Sequence, residues 1–176
     1  MSGAKPSAAT AELYAHALAI EREAAARYAE LARSMAEQGN APTAALFAHL
    51  ATREAQHAES VVAAAKGLDL PALKPWEYHW LDGGPPEKVA RELVPAPLAP
   101  EDALKIALEA EQRAHDFFEQ AFAASTDPDV KLLAAAMAQE EARHVEWLEL
   151  ALATASEAGG GWAGFLAAQS GDNRPA

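Results

Sequence analysis

Arg53-Glu54-Ala55-Gln56-His57 is the stretch that decides how the rest of the chain is read. It is a Glu-x-x-His pair inside an Ala-rich run, and it returns as Glu141-Ala142-Arg143-His144 near the other end. Residues three apart on an α-helix share a face, so each pair aims one carboxylate and one imidazole at a common point. A single pair of this kind is ordinarily a surface pair; the two copies gain weight from what surrounds them.

Outward from each pair runs an apolar stripe stepping by three and four, the spacing of a bundle-facing seam. Around Glu54 and His57 it reads Phe47, Leu50, Val61 and Ala64; around Glu141 and His144 it reads Met137, Leu148 and Ala151. Each of these runs is preceded by another with one acid at its centre. The first is Tyr14, Ala17, Glu21, Ala24, Tyr28, Leu31, Met35; the second is Leu104, Leu108, Glu111, His115, Phe118, Phe122. An aromatic follows the acid by seven residues in both, Tyr28 after Glu21 and Phe118 after Glu111. The chain is therefore two matching helical hairpins.

Helix stops and starts agree with that reading. Ser7 or Thr10 is placed to cap the first helix, which runs to about Gln38 before Gly39-Asn40. The second begins near Pro42 and ends at Lys66-Gly67. The third starts at Pro100-Glu101-Asp102 and runs to about Ser125; Thr126-Asp127-Pro128 breaks it from the fourth, which runs to about Ala158 and Gly159-Gly160-Gly161. Residues 1–9 are expected to be a loose leader, 10–158 the four-helix domain, and 159–176 an extension with a short amphipathic turn at 162–168. Between helices two and three, residues 68–100 hold seven prolines and the aromatic run Trp76-Glu77-Tyr78-His79-Trp80. No long helix survives such proline density. The segment is expected to be a long crossover, interrupted by a short helix at 87–93, with its aromatics covering a bundle end or a dimer contact. The fold class is all-α, a four-helix bundle.

Bulk properties narrow the function. Net charge is −12, which opposes a nucleic-acid backbone or an anionic membrane surface. Cysteine is absent, which excludes disulfides, thiolate metal sites and Cys nucleophiles. No apolar run approaches the roughly 20 residues of a spanning helix, and no secretory signal is legible at the start. A cytoplasmic location is expected.

Folded together, the hairpins place Glu21, Glu54, His57, Glu111, Glu141 and His144 in one layer. Carboxylate and imidazole suit Fe or Mn, alone or mixed. Two close cations need bridging anions, and Glu54 and Glu141 are placed to bridge. Glu21 and Glu111 then serve as terminal ligands, with His57 and His144 completing the two shells. Without cations, four carboxylates in an apolar seam would be costly. Glu23, Glu109 and Glu140 fall off the seams, although Glu140 could brace His57. His16, His49 and His79 are expected to be exposed or capping, and His115 could line the site.

At these residues the chain resembles the rubrerythrin branch of the ferritin-like superfamily. The likeness is strongest over Glu21-Arg22-Glu23-Ala24-Ala25-Ala26-Arg27-Tyr28, Ala44-Ala45-Leu46-Phe47 and Glu54-Ala55-Gln56-His57-Ala58. It implies a ferritin-like bundle with a non-haem di-iron centre that acts on peroxide or O2, in a protein that is often a homodimer. Tyr28 is the expected catalytic side chain, hydrogen-bonded to a ligand carboxylate or to an oxygen species. Ferroxidase activity with iron storage or delivery, and hydroxylation of an organic substrate, are the alternatives. Two features depart from the family. There is no rubredoxin-type Cys set, which implies a separate electron donor. Ala114 occupies the place of an additional family glutamate one turn after Glu111.

Overall fold

The computed structural model describes residues 7–73 and 98–158. They form α1 (Ala8–Glu37), α2 (Ala41–Ala64), α3 (Pro100–Ala124) and α4 (Pro128–Ala158). No strand occurs among the described residues. α1 begins earlier than the expected leader allows, because Ser7 caps it: the Ser7 hydroxyl accepts from the Thr10 N–H at 3.1 Å, and Ala8 and Ala9 are helical. The Trp76–Trp80 run, His79, the helix at 87–93 and the turn at 162–168 lie outside the described residues.

Two polar clasps fix how the hairpins meet. At one end, the Ser7 hydroxyl donates to Asp127 Oδ2 at 2.7 Å. Asp127 Oδ1 accepts from the N–H groups of Asp129 and Val130, so one carboxylate caps α4 and holds the start of α1. The Ser7 hydrogen bond and the two backbone N–H groups keep that carboxyl below its usual range. At the other end, Asn40 Oδ1 accepts from the Thr43 N–H at 3.4 Å and caps α2. Asn40 Nδ2 and the buried Thr43 hydroxyl both donate to the Leu98 carbonyl, at 2.6 Å and 3.2 Å. Gly39, at φ +74°, lets the chain turn between α1 and α2 in a conformation that a side chain disfavours.

These clasps set the directions. Leu98, just before α3, lies at the α1–α2 turn, whereas the α3–α4 turn lies at the start of α1. α3 therefore runs with α2, and α4 runs with α1. These helix directions are those of a ferritin-like fold. Its 24 residues give α2 a length of about 36 Å.

The core is split in two. α1 packs mainly on α2, and α3 mainly on α4. One apolar cluster gathers Leu31, Met35, Phe47, Leu104 and Leu148 near the Asn40 clasp. The other gathers Leu13, Ala17, Val61, Phe118 and Leu133 near the Asp127 clasp. Glu21, Glu54, Glu111 and Glu141 fall between the two clusters in sequence on all four helices. Two seam assignments fail at the bundle end. Phe122 is 39% exposed beneath the Lys131 ammonium, and Ala64 faces solvent, because the inward face steps from Phe118 to Ala121 and from Val61 to Ala65 instead.

Asn40→Ala removes a cap and one of the two donors to Leu98. Urea denaturation is expected to show a loss of about 1–2 kcal/mol.

Candidate metal centre

Each acidic side chain sits at the mid-length of its helix, where neighbouring turns exclude water. Glu21, Glu54, Glu111 and Glu141 are all buried, as is His144; the His57 side chain is 23% exposed. The i,i+3 pairs behave as their spacing requires. His144 Nδ1 lies 3.3 Å from Glu141 Oε2, and His57 Nδ1 lies 4.0 Å from Glu54 Oε2. Across each hairpin, His144 Nδ1 is 3.1 Å from Glu111 Oε2, and His57 Nδ1 is 3.9 Å from Glu21 Oε2. The two imidazoles stack across the hairpin boundary, with centroids 4.4 Å apart and planes 13° from parallel. All six candidate ligands thus meet in one layer.

Ligand atoms of Glu54, His57 and His144 lie within 4.8 Å of one another, and so do those of Glu111, Glu141 and His144. Glu21 belongs to neither trio and approaches the first through His57. The donor chemistry fits hard or borderline cations. The sharpest sign is His57 Nδ1, which is buried yet has no hydrogen-bond partner. Its two carboxylate neighbours are too distant for a hydrogen bond, but one ion bonded at about 2.1 Å to each could span the gap.

A family model described as Rubrerythrin matches residues 12–152. The chain belongs to the rubrerythrin family. A crystal structure of an uncharacterized conserved protein from Magnetospirillum magnetotacticum MS-1 is also similar. It shows 38% identity and a TM-score of 0.65, over 82% of this chain and 93% of the other. No match is found among curated proteins.

Within this candidate site the two halves differ. Glu111 is braced by His144 and by the Tyr28 hydroxyl, which donates to Glu111 Oε1 at 3.3 Å. Burial pushes the Glu111 carboxyl up, but the bonds from His144, Glu141 and Tyr28 outweigh it and leave it lowered. Burial likewise disfavours charged His144, yet its bonds to Glu111 and Glu141 raise it to about 10. In the other half, burial and the charges of His144 and Arg53 lower His57 to about 4. Burial, reinforced by neighbouring carboxylates, raises Glu21 to about 8, Glu54 to about 9 and Glu141 to about 8.

Three expectations are corrected around the site. His16 is buried against the Phe117 ring, 5.7 Å between centroids, and is not exposed. His115 turns toward Asp116 at the surface and does not line the site, because its position lies outward of the seam. Glu140 pairs with Arg143 at 2.8 Å and makes no bond to His57, on which it acts only through its charge. His49 is half-buried and stacks on Trp147 beneath Arg53.

One feature has no counterpart among the seams. A cavity of about 190 Å³ lies between α1 and α3 and reaches Tyr28, Glu54, Glu111 and Glu141. Ala110 and Ala114, four residues apart, mark it on α3. That small-residue pair was the available signal.

The sign of the pH response follows from these groups. Folded Glu21, Glu54 and Glu141 keep their protons to about 8, 9 and 8, whereas the unfolded chain releases them near 4.5. Stability therefore falls as pH rises through that window. His144 adds the same sign between 6.5 and about 10; His57 opposes it only between about 4 and 6.5. A metal-free preparation is expected to melt at least about 2 °C lower at about pH 8 than at about pH 5, since roughly 1 kcal/mol shifts a chain of this size by about 2–4 °C. Calorimetry with added Mn(II) should flatten that slope, because bound carboxylates are already deprotonated.

Proposed function

We propose that this protein is a non-haem di-iron oxidoreductase acting on peroxide or O2. The observation that supports it best is the polar layer: four buried carboxylates and two facing imidazoles between two apolar clusters. Family membership supports the same reading. Glu21, Glu54 and His57 would hold one ion, and Glu111, Glu141 and His144 the other, with Glu54 and Glu141 bridging. Iron bound there supplies electrons and Lewis acidity to the oxidant. Manganese, or one ion of each, suits the same donors.

The chain's own side chains have distinct tasks. Leu31, Phe47, Leu104 and Phe118 keep bulk water from both sides of the layer. Tyr28 fixes the orientation of Glu111, and stacking on Phe47 holds the phenol in place. Burial and the charge on Glu111 hold the Tyr28 pKa well above 10, so its hydroxyl remains a proton donor throughout the neutral range. It lines the cavity, where an oxygen species would be met. These 176 residues contain no cysteine, so the proposal draws electrons from a donor outside them. It further takes the protein as a cytoplasmic homodimer. No described helix is long and apolar enough to cross a membrane.

Protein reconstituted with Fe(II) is expected to bind two ions and consume peroxide at least about tenfold faster than the Glu54→Ala, Glu141→Ala variant. Equal rates would end the proposal. Tyr28→Phe should keep both ions but lose about 10–100-fold in rate, the usual penalty for removing a partner of a metal ligand. An unchanged rate would confine Tyr28 to packing.

A further inference from the structure

We propose that the cavity between α1 and α3 binds a small, neutral, largely apolar organic molecule, in addition to any oxidant. Its walls are Ile20, Ala24 and Leu31 from α1 and Ile106, Ala110 and Ala114 from α3. None of these offers a side-chain hydrogen bond. Along that apolar stretch, between the carboxylates at the inner end and the charged mouth, water finds no side-chain partner, whereas an apolar ligand would gain by leaving water. The volume of about 190 Å³ compares with roughly 150 Å³ for a cavity that takes up benzene, so a ligand of about six to eight non-hydrogen atoms fits.

Alanines leave the space open. Ala110 and Ala114 lie one above the other on α3, and Ala24 lines the α1 wall. Larger side chains there would close the gap and shield the carboxylates equally well, so dehydration of the site does not require the cavity. At the inner end, a bound molecule would rest against Tyr28 and Glu111. At the mouth, Arg27 pairs with the exposed Glu30 at 3.0 Å, and exposed Arg113 lies beside exposed Glu109 among the lining residues. The rim thus mixes signs and does not select a charged ligand. The buried carboxylates further disfavour an anion. The proposal rests on the walls and is independent of which metal the site holds.

Toluene is the probe, titrated into the full chain in metal-free and Mn(II)-loaded forms and followed by calorimetry and amide NMR shifts. Saturable binding is expected in the metal-free form, with shifts at Ala24, Ala110 and Ala114. Ala110→Leu and Ala114→Leu, made separately, should each weaken binding at least about tenfold by filling the space. Their melting temperatures and Mn(II) stoichiometry, read in parallel, should match the unmodified chain. Either variant suffices if the other does not fold. No toluene binding by the unmodified chain, or undiminished binding by a folded variant, overturns the proposal. A chain that binds toluene but no metal supports it, while removing the di-iron reading.

Discussion

Four carboxylates confined to one layer between two hydrocarbon clusters are the constraint on which this structure turns. An ionised carboxylate costs several kcal/mol to bury without a partner, and here four share one small volume. Among the described residues, His144 alone lies within hydrogen-bond distance of these carboxylates as a potential cation, and it is drawn to Glu111 and Glu141. The remaining acids are pushed toward their neutral forms. A fold optimised for stability alone would fill this layer with leucine. Its persistence at the centre of all four helices is explained if positive charge from outside the chain completes it.

The hairpins match in sequence but are not equivalent in structure. Glu111 is held from two sides, by Tyr28 and His144. Glu21 has no such clamp, and His57 is the more exposed imidazole, with its Nδ1 unbonded. The aromatic seven residues after each acid accounts for part of this. Tyr28 carries a hydroxyl that reaches across to the other hairpin, whereas Phe118 can only pack. A single oxygen atom in the repeat therefore gives the two half-sites different hydrogen bonding.

Most of this layer was legible in the sequence because helical periodicity dictates which side chains point inward. Glu21, Glu54, Glu111 and Glu141 each interrupt an apolar stripe, and their burial follows from it. His115 was harder to place: a step of four from Glu111 drifts toward the helix flank, and a neighbouring Asp116 is enough to hold it at the surface. His16 shows the reverse, a polar residue buried because Phe117 of another helix covers it, a contact that no local pattern encodes. The cavity was missed because its alanines look like ordinary helix formers. Ala110 and Ala114 mark it at helical spacing, but alanine is common throughout these helices, so the pair does not stand out.

The clasps at the two ends explain how so small a layer keeps its alignment. A helix rotates about 100° per residue, so a slip of one position in either hairpin would turn a carboxylate out of the layer. The two hairpins share fewer close contacts with each other than each helix makes with its own partner, so packing alone constrains their relative register weakly. Ser7 to Asp127 and Asn40 to Leu98 join one hairpin to the other at opposite ends. Both bonds use groups that also cap helices, so helix start points and inter-hairpin register are fixed together. The positions of the six ligand side chains are in this sense consequences of hydrogen bonds made at the bundle ends.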